Sequence, residues 1–143
     1  MTGPRIVARL LLVAPVTTED AAAVAALLRG YTPTALHRLD GATAAGVEAG
    51  VAGALGLTSI PVEGSDPLQS IETVALRALG GCVAVLVPVD TLPALLARAL
   101  GAPDGAAAHL VAVPSAVSVL ECDDERRWSV VRVNEGALPF AEA

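Results

Sequence analysis

The sequence predicts a three-layer α/β/α domain whose mainly parallel sheet of about six strands closes with an antiparallel hairpin. Three observations carry that expectation. Short apolar runs alternate with helical patterns over most of the chain, which implies right-handed crossovers between parallel strands. Two of those runs, RLLLVA at 9–14 and CVAVLV at 82–87, are apolar throughout, as strands covered on both faces are. Near the end, SAVSVLEC at 115–122 and WSVVRVN at 128–134 alternate instead, around the charged connection 123–127. That is the pattern of a hairpin with one wet face.

Each element has a local reason. After the first strand, Thr17 or Thr18 can cap a helix over 19–28. Glu19 and Asp20 then stand in its first turn, where the macrodipole favours acids, and Gly30 stops it. A second short strand is expected at 34–39. The stretch 42–55 has Val47, Val51 and Leu55 at helical spacing. Its glycines 46, 50 and 53 cost helix propensity unless another backbone packs against them. TSIPV at 58–62 reads as a strand placed towards an edge by Pro61. Pro67 opens a helix through 79 with Ile71, Val74, Ala75 and Ala78 inward. A fourth helix is expected over 91–100, with Pro93 in its first turn and Gly101 beyond its end. Residues 102–113 read as loop.

The 143 residues suit one domain, 1–143. Hydrophobic residues make up 54% of the chain, which excludes disorder, but aromatics only 2%, so the core must be built from Ala, Val and Leu. Such a core buries little area per residue and gains from a second subunit, so a homo-oligomer is expected. The net charge of −6, with no lysine, argues against a nucleic-acid face. No apolar run approaches a membrane span. The run 10–16 is short for a signal peptide, contains Pro15 and meets acids at once. A cytoplasmic protein is expected. Cys82 and Cys122 read as reduced thiols. With His37 and His109 they show no metal-ligand spacing, so neither a metal nor a cofactor is expected.

Beyond these elements, longer stretches carry a resemblance. LLLVAPVTT at 10–18, GVEAGVAGALGL at 46–57, VAVLVPVDTLPALLARALG at 83–101 and SAVSVLECDDERRWSVVRVNEGAL at 115–138 follow one another in the order found in the histidine phosphatase superfamily, also called phosphoglycerate mutase-like. The chain resembles a truncated member of it, shortened between the third strand and the strand at 82–87. The resemblance implies a histidine nucleophile, a second histidine and two arginines that clamp the phosphoryl group. Here the Arg-His-Gly positions read Ala14-Pro15-Val16. The second arginine falls near Gly41 or Thr43, and the second histidine at Val87, Pro88 or Val89. A proline amide nitrogen cannot attack phosphorus.

The resemblance therefore implies a vestigial pocket and no catalytic residues. Its members would be Pro15, Thr17, Thr18, His37, Arg38, Asp40, Pro88 and Asp90. Carboxylates at such a mouth repel phosphate. Each residue also has a plainer reading. His37-Arg38 is a polar remnant at the sheet's C-terminal edge, or a surface turn in which Arg38 pairs with Asp40. Asp90 lines the pocket, or caps the helix 91–100. Thr17 and Thr18 read best as caps, His109 as a loop residue, and Trp128 as the anchor of the hairpin. Two functions follow. One is a non-enzymatic module that binds itself, a protein partner or a small-molecule ligand. The other is an enzyme with replaced acid/base chemistry at an apolar pocket.

Overall fold

The computed structural model describes residues 5–15, 20–41, 45–63, 66–78, 80–103, 105–106, 110, 113, 115–125 and 127–136. Ten elements follow in order: β1 (Ile6–Val13), α1 (Asp20–Arg29), β2 (Ala35–Leu39), α2 (Ala45–Leu55), β3 (Ser59–Val62), α3 (Pro67–Arg77), β4 (Gly81–Leu86), α4 (Leu92–Ala99), β5 (Val117–Asp123) and β6 (Trp128–Glu135). The strands form one sheet in the order β3-β2-β4-β1-β5-β6. The pairs β1–β4, β2–β4 and β2–β3 are parallel, and β1–β5 and β5–β6 antiparallel.

Alternation within the apolar strands divides the core in two. Leu10 and Leu12 of β1, Val83 and Val85 of β4, and Leu120 of β5 pack with Ile71 and Val74 of α3 and Leu92, Leu95 and Leu96 of α4. Leu11, Val13, Ala84, Leu86, Val117 and Val119 pack on the other face with Val24 and Leu28 of α1 and Val51 of α2. A strand buried on both faces needs no polar side, which is why β1 and β4 read as unbroken apolar runs.

The helix ends are set by local chemistry. Asp66 caps α3: its side chain accepts a hydrogen bond from the Leu68 backbone N–H at 3.1 Å, and Pro67 follows at the first turn. The helix ends at Arg77, two residues before the expected end, where the Ala78 N–H closes back on the carbonyls of Val74 and Ala75. β3 is an edge strand, as its Pro61 requires. Among the described residues only α3 lies between β3 and β4, in keeping with the expected shortening.

Two expectations are corrected. Asp90 does not cap α4. Thr91 occupies the cap position without a side-chain hydrogen bond. The Pro88 carbonyl instead accepts from the N–H groups of Thr91 and Leu92 at 3.0 and 3.2 Å, so the turn's own backbone closes the helix start. Nor does β5 have a wet face. It lies between β1 and β6, and Ser118, which reads as a solvent position, is fully buried with its hydroxyl accepting from the Asn134 N–H at 3.1 Å. Only β6 shows the exposed positions expected of the hairpin.

The hairpin is tied at both ends. The Asp123 carboxylate accepts from the N–H groups of Glu125 and Arg127, both at 2.9 Å, and from Arg127 Nε at 3.0 Å. These bonds, led by the Arg127 backbone N–H, hold its pKa below the ordinary aspartate value. At the far end the Tyr31 hydroxyl, following α1, donates to Glu135 of β6. Arg132 Nη1 donates to the same carboxylate at 2.7 Å.

Candidate functional site

The chain leaves β1 for α1 on one face of the sheet and leaves β4 for α4 on the other. Because β1 and β4 are neighbours, their C-terminal ends frame the point where the connections diverge. In open α/β sheets such a point is where ligands sit. Pro15 follows β1 there, Asp40 follows β2, and Val87, Pro88 and Asp90 follow β4.

The crevice between β1 and β4 is narrowed by backbone. The Val87 N–H donates to the Val13 carbonyl at 2.9 Å, continuing the ladder one residue past the end of β4. On the other side the Ser115 N–H donates to the Ala14 carbonyl at 3.0 Å. Ala14, Pro15 and Val87 are buried and Pro88 is half-buried, while Asp40 and Asp90 are exposed in turns. The arrangement offers an aliphatic floor with carboxylates at its rim.

His37 and Arg38 do not join this group. Successive strand residues point to opposite faces, and the two side chains part accordingly. Arg38 forms an ion pair with Glu48 of α2, and Glu48 also accepts from the Ser59 hydroxyl at 3.0 Å. Asp40 is therefore not its partner, against the plainer expectation. His37 is only 5% exposed, flanked in register by Ile60 of β3 and Val85 of β4. Its Nδ1 has no hydrogen-bond partner. Burial, and then the charge of Arg77 at the end of α3, push its pKa below the ordinary histidine value. Thr17, Thr18, Val16, Thr43 and His109 lie outside the described residues.

Sequence reading missed one residue at this edge. Ser115 has a positive φ of 68° and a buried hydroxyl without a hydrogen-bond partner. A non-glycine residue held there is strained. Nothing in the local sequence signals that conformation; it follows from the bond to the Ala14 carbonyl. Among the described residues no group of three or more His, Cys, Asp or Glu is placed to hold a metal ion, and no helix is long and apolar enough to cross a membrane.

No protein-family model matches the chain, and no curated protein matches it by sequence. Solved structures do match it by shape. YhfR of Bacillus stearothermophilus superposes with a TM-score of 0.75 at 13% identity, over 91% of this chain and 98% of that one. A mycobacterial glucosyl-3-phosphoglycerate phosphatase in complex with VO3 gives 0.69 at 13% identity, over 90% and 99%. Phosphoglycerate mutase from Plasmodium falciparum gives 0.68 at 15% identity, over 97% and 98%. The fold is phosphoglycerate mutase-like. In this phosphoglycerate mutase-like sheet, the edge that carries Pro15, Val87 and Pro88 is the one that the sequence resemblance assigns to the vestigial pocket.

Proposed function

We propose that the chain is a degenerate member of the histidine phosphatase superfamily that performs no phosphoryl transfer and acts by binding, as a self-associating or regulatory module. One observation carries the reading. Where the mechanism implied by the resemblance would need a nucleophilic imidazole, the chain presents the buried Pro15, and where it would need the second, Val87, Pro88 or Val89, of which Val87 is buried in the aliphatic core. His37 supports the same reading, since it sits inside the sheet between β3 and β4. The carboxylates of Asp40 and Asp90 would meet an incoming phosphate with like charge. The sparse aromatic content supports self-association, because a second subunit adds the burial that a core of Ala, Val and Leu lacks.

The test is a phosphomonoesterase assay with p-nitrophenyl phosphate, run beside light scattering on the eluted protein. The expected result is no turnover above that of a His37→Ala/His109→Ala variant, and a mass of at least two chains. Turnover that one of these substitutions abolishes would sink the proposal, as would a phosphohistidine trapped during reaction. A second reading keeps an enzyme with replaced acid/base chemistry on a non-phosphorylated small molecule. It is favoured by the strained Ser115 beside Ala14, with Asp40 and Asp90 at the rim. A small-molecule turnover lost in Ser115→Ala would select it.

A further inference from the structure

A cavity among the described residues lies away from the edge that carries Pro15 and Pro88. It has a volume of about 360 Å³ and lies at the opposite, N-terminal end of β1, within the range of sites that enclose small ligands. Four elements meet there. β1 contributes Val7, α3 contributes Glu72 and Leu76, β5 contributes Cys122 and its last residue Asp123, and β6 begins with Trp128. Asp124 completes the wall from the hairpin turn. Val7 is the extra residue of a bulge, since Ile6 pairs with Asp123 and Ala8 with Cys122. A bulge bends the strand and redirects a side chain, and here it leaves room between β1 and the start of the hairpin.

The lining has one electrostatic sign. Its carboxylates are Glu72, Asp123 and Asp124, and among the described residues no Arg or His lines it. Asp123 is already committed to Arg127 and the turn backbone. Glu72 is exposed and has no ion-pair partner among the described residues. Asp124 accepts from the Arg5 backbone N–H at 3.3 Å, and its charge has no ion-pair partner among the described residues. The rest of the wall is apolar, made by Val7, Ala75, the buried Cys122, Trp128 and Leu76, which is 54% exposed at the rim. An aromatic ring, the carboxylates of Glu72 and Asp124 and an aliphatic wall in one concavity match a single ligand chemistry. An ammonium group is attracted by both the carboxylates and the indole π-system, and its hydrocarbon body by the aliphatic wall. An anion would lose on every one of those charges.

We propose that this cavity is a binding site for a small organic cation, an amine carrying an apolar or aryl group. It shares no residue with the vestigial pocket, so it stands or falls separately from the loss of phosphatase chemistry. The chain supplies its own reporter, because Trp128 is the sole tryptophan. Its emission is to be titrated with phenethylammonium, with phenylacetate of the same shape and opposite charge, and with methylammonium at matched ionic strength. The expected result is a saturable change with phenethylammonium and a flat response to the other two. Removing both charges in Glu72→Gln/Asp124→Asn weakens phenethylammonium binding about fivefold or more. Leu76→Arg places a cation at the exposed rim and abolishes the response, while circular dichroism and the melting temperature stay as in the parent. Equal responses to phenethylammonium and phenylacetate would overturn the proposal, as would no saturable response or an unchanged one in folded Leu76→Arg.

Discussion

Gly50 of α2 faces Ala21 of α1 so closely that a Cβ on the glycine would stand 3.0 Å from the alanine Cβ. The two helices cover one face of the sheet together, and the small pair lets them approach. Gly53, one turn on, has no atom within 4 Å of the same position. The two glycines therefore respond oppositely to substitution. Gly50→Leu forces the helices apart and destabilises by about 1–3 kcal/mol. Gly53→Ala meets open space and gains about 0.5–1 kcal/mol from helix propensity. Urea denaturation of both variants checks the pair; a Gly50→Leu protein as stable as the parent would show that α1 and α2 do not pack through this contact.

Much of the fold is legible because burial on two faces leaves a plain mark. Leu10–Val13 and Val83–Leu86 admit no polar side, and Pro61 forces β3 to an edge. What escapes is nonlocal. Ser118 reads as a wet position because nothing near it in sequence announces Asn134 as its partner. Arg38 looks paired with Asp40, two residues away, until the strand's alternation turns it towards Glu48 on α2. Pro15, Asp40, Pro88 and Asp90 fall in the connections after β1, β2 and β4, a placement at the sheet's C-terminal edge that follows from the strand pattern alone. The cavity beside Trp128 does not, because its walls come from four elements with no common spacing.

The cap of α3 offers a direct measurement. Asp66 accepts from the Leu68 N–H, and removing that acceptor leaves a helix-end donor to water. Asp66→Ala lowers stability by about 1 kcal/mol, and Asp66→Asn, which keeps an acceptor, recovers most of it. Equal losses in the two variants would mean that the charge near the helix start matters more than the hydrogen bond.

Val87 and Pro88 divide the C-terminal edge of β4 into core and surface. Val87 has no exposed area and Pro88 is half-buried. A histidine at Val87 must bury a polar ring among aliphatic neighbours, so Val87→His costs about 2 kcal/mol or more. Pro88→His costs about 1 kcal/mol or less, chiefly by freeing the unfolded chain. Thermal melts of the two proteins separate these outcomes. Similar small losses in both would show that solvent reaches Val87, and that the crevice is open rather than filled.

The buried His37 makes stability depend on pH in a defined direction. Desolvation, and then the Arg77 charge, hold its pKa below the ordinary value of about 6.5. Above that value the imidazole is neutral in both states and adds no pH dependence. As pH falls through it, the unfolded chain takes up a proton that the folded chain refuses, so stability declines until the folded pKa is reached. His37→Leu removes this linkage. Between about pH 7.5 and about pH 5.5 the parent therefore loses more unfolding free energy than the variant. At the upper pH the variant is at least as stable, because Nδ1 has no hydrogen bond to lose. Parallel pH profiles would show that His37 protonates freely in the folded chain, and a variant weaker at the upper pH would show that its ring makes a polar contact worth keeping.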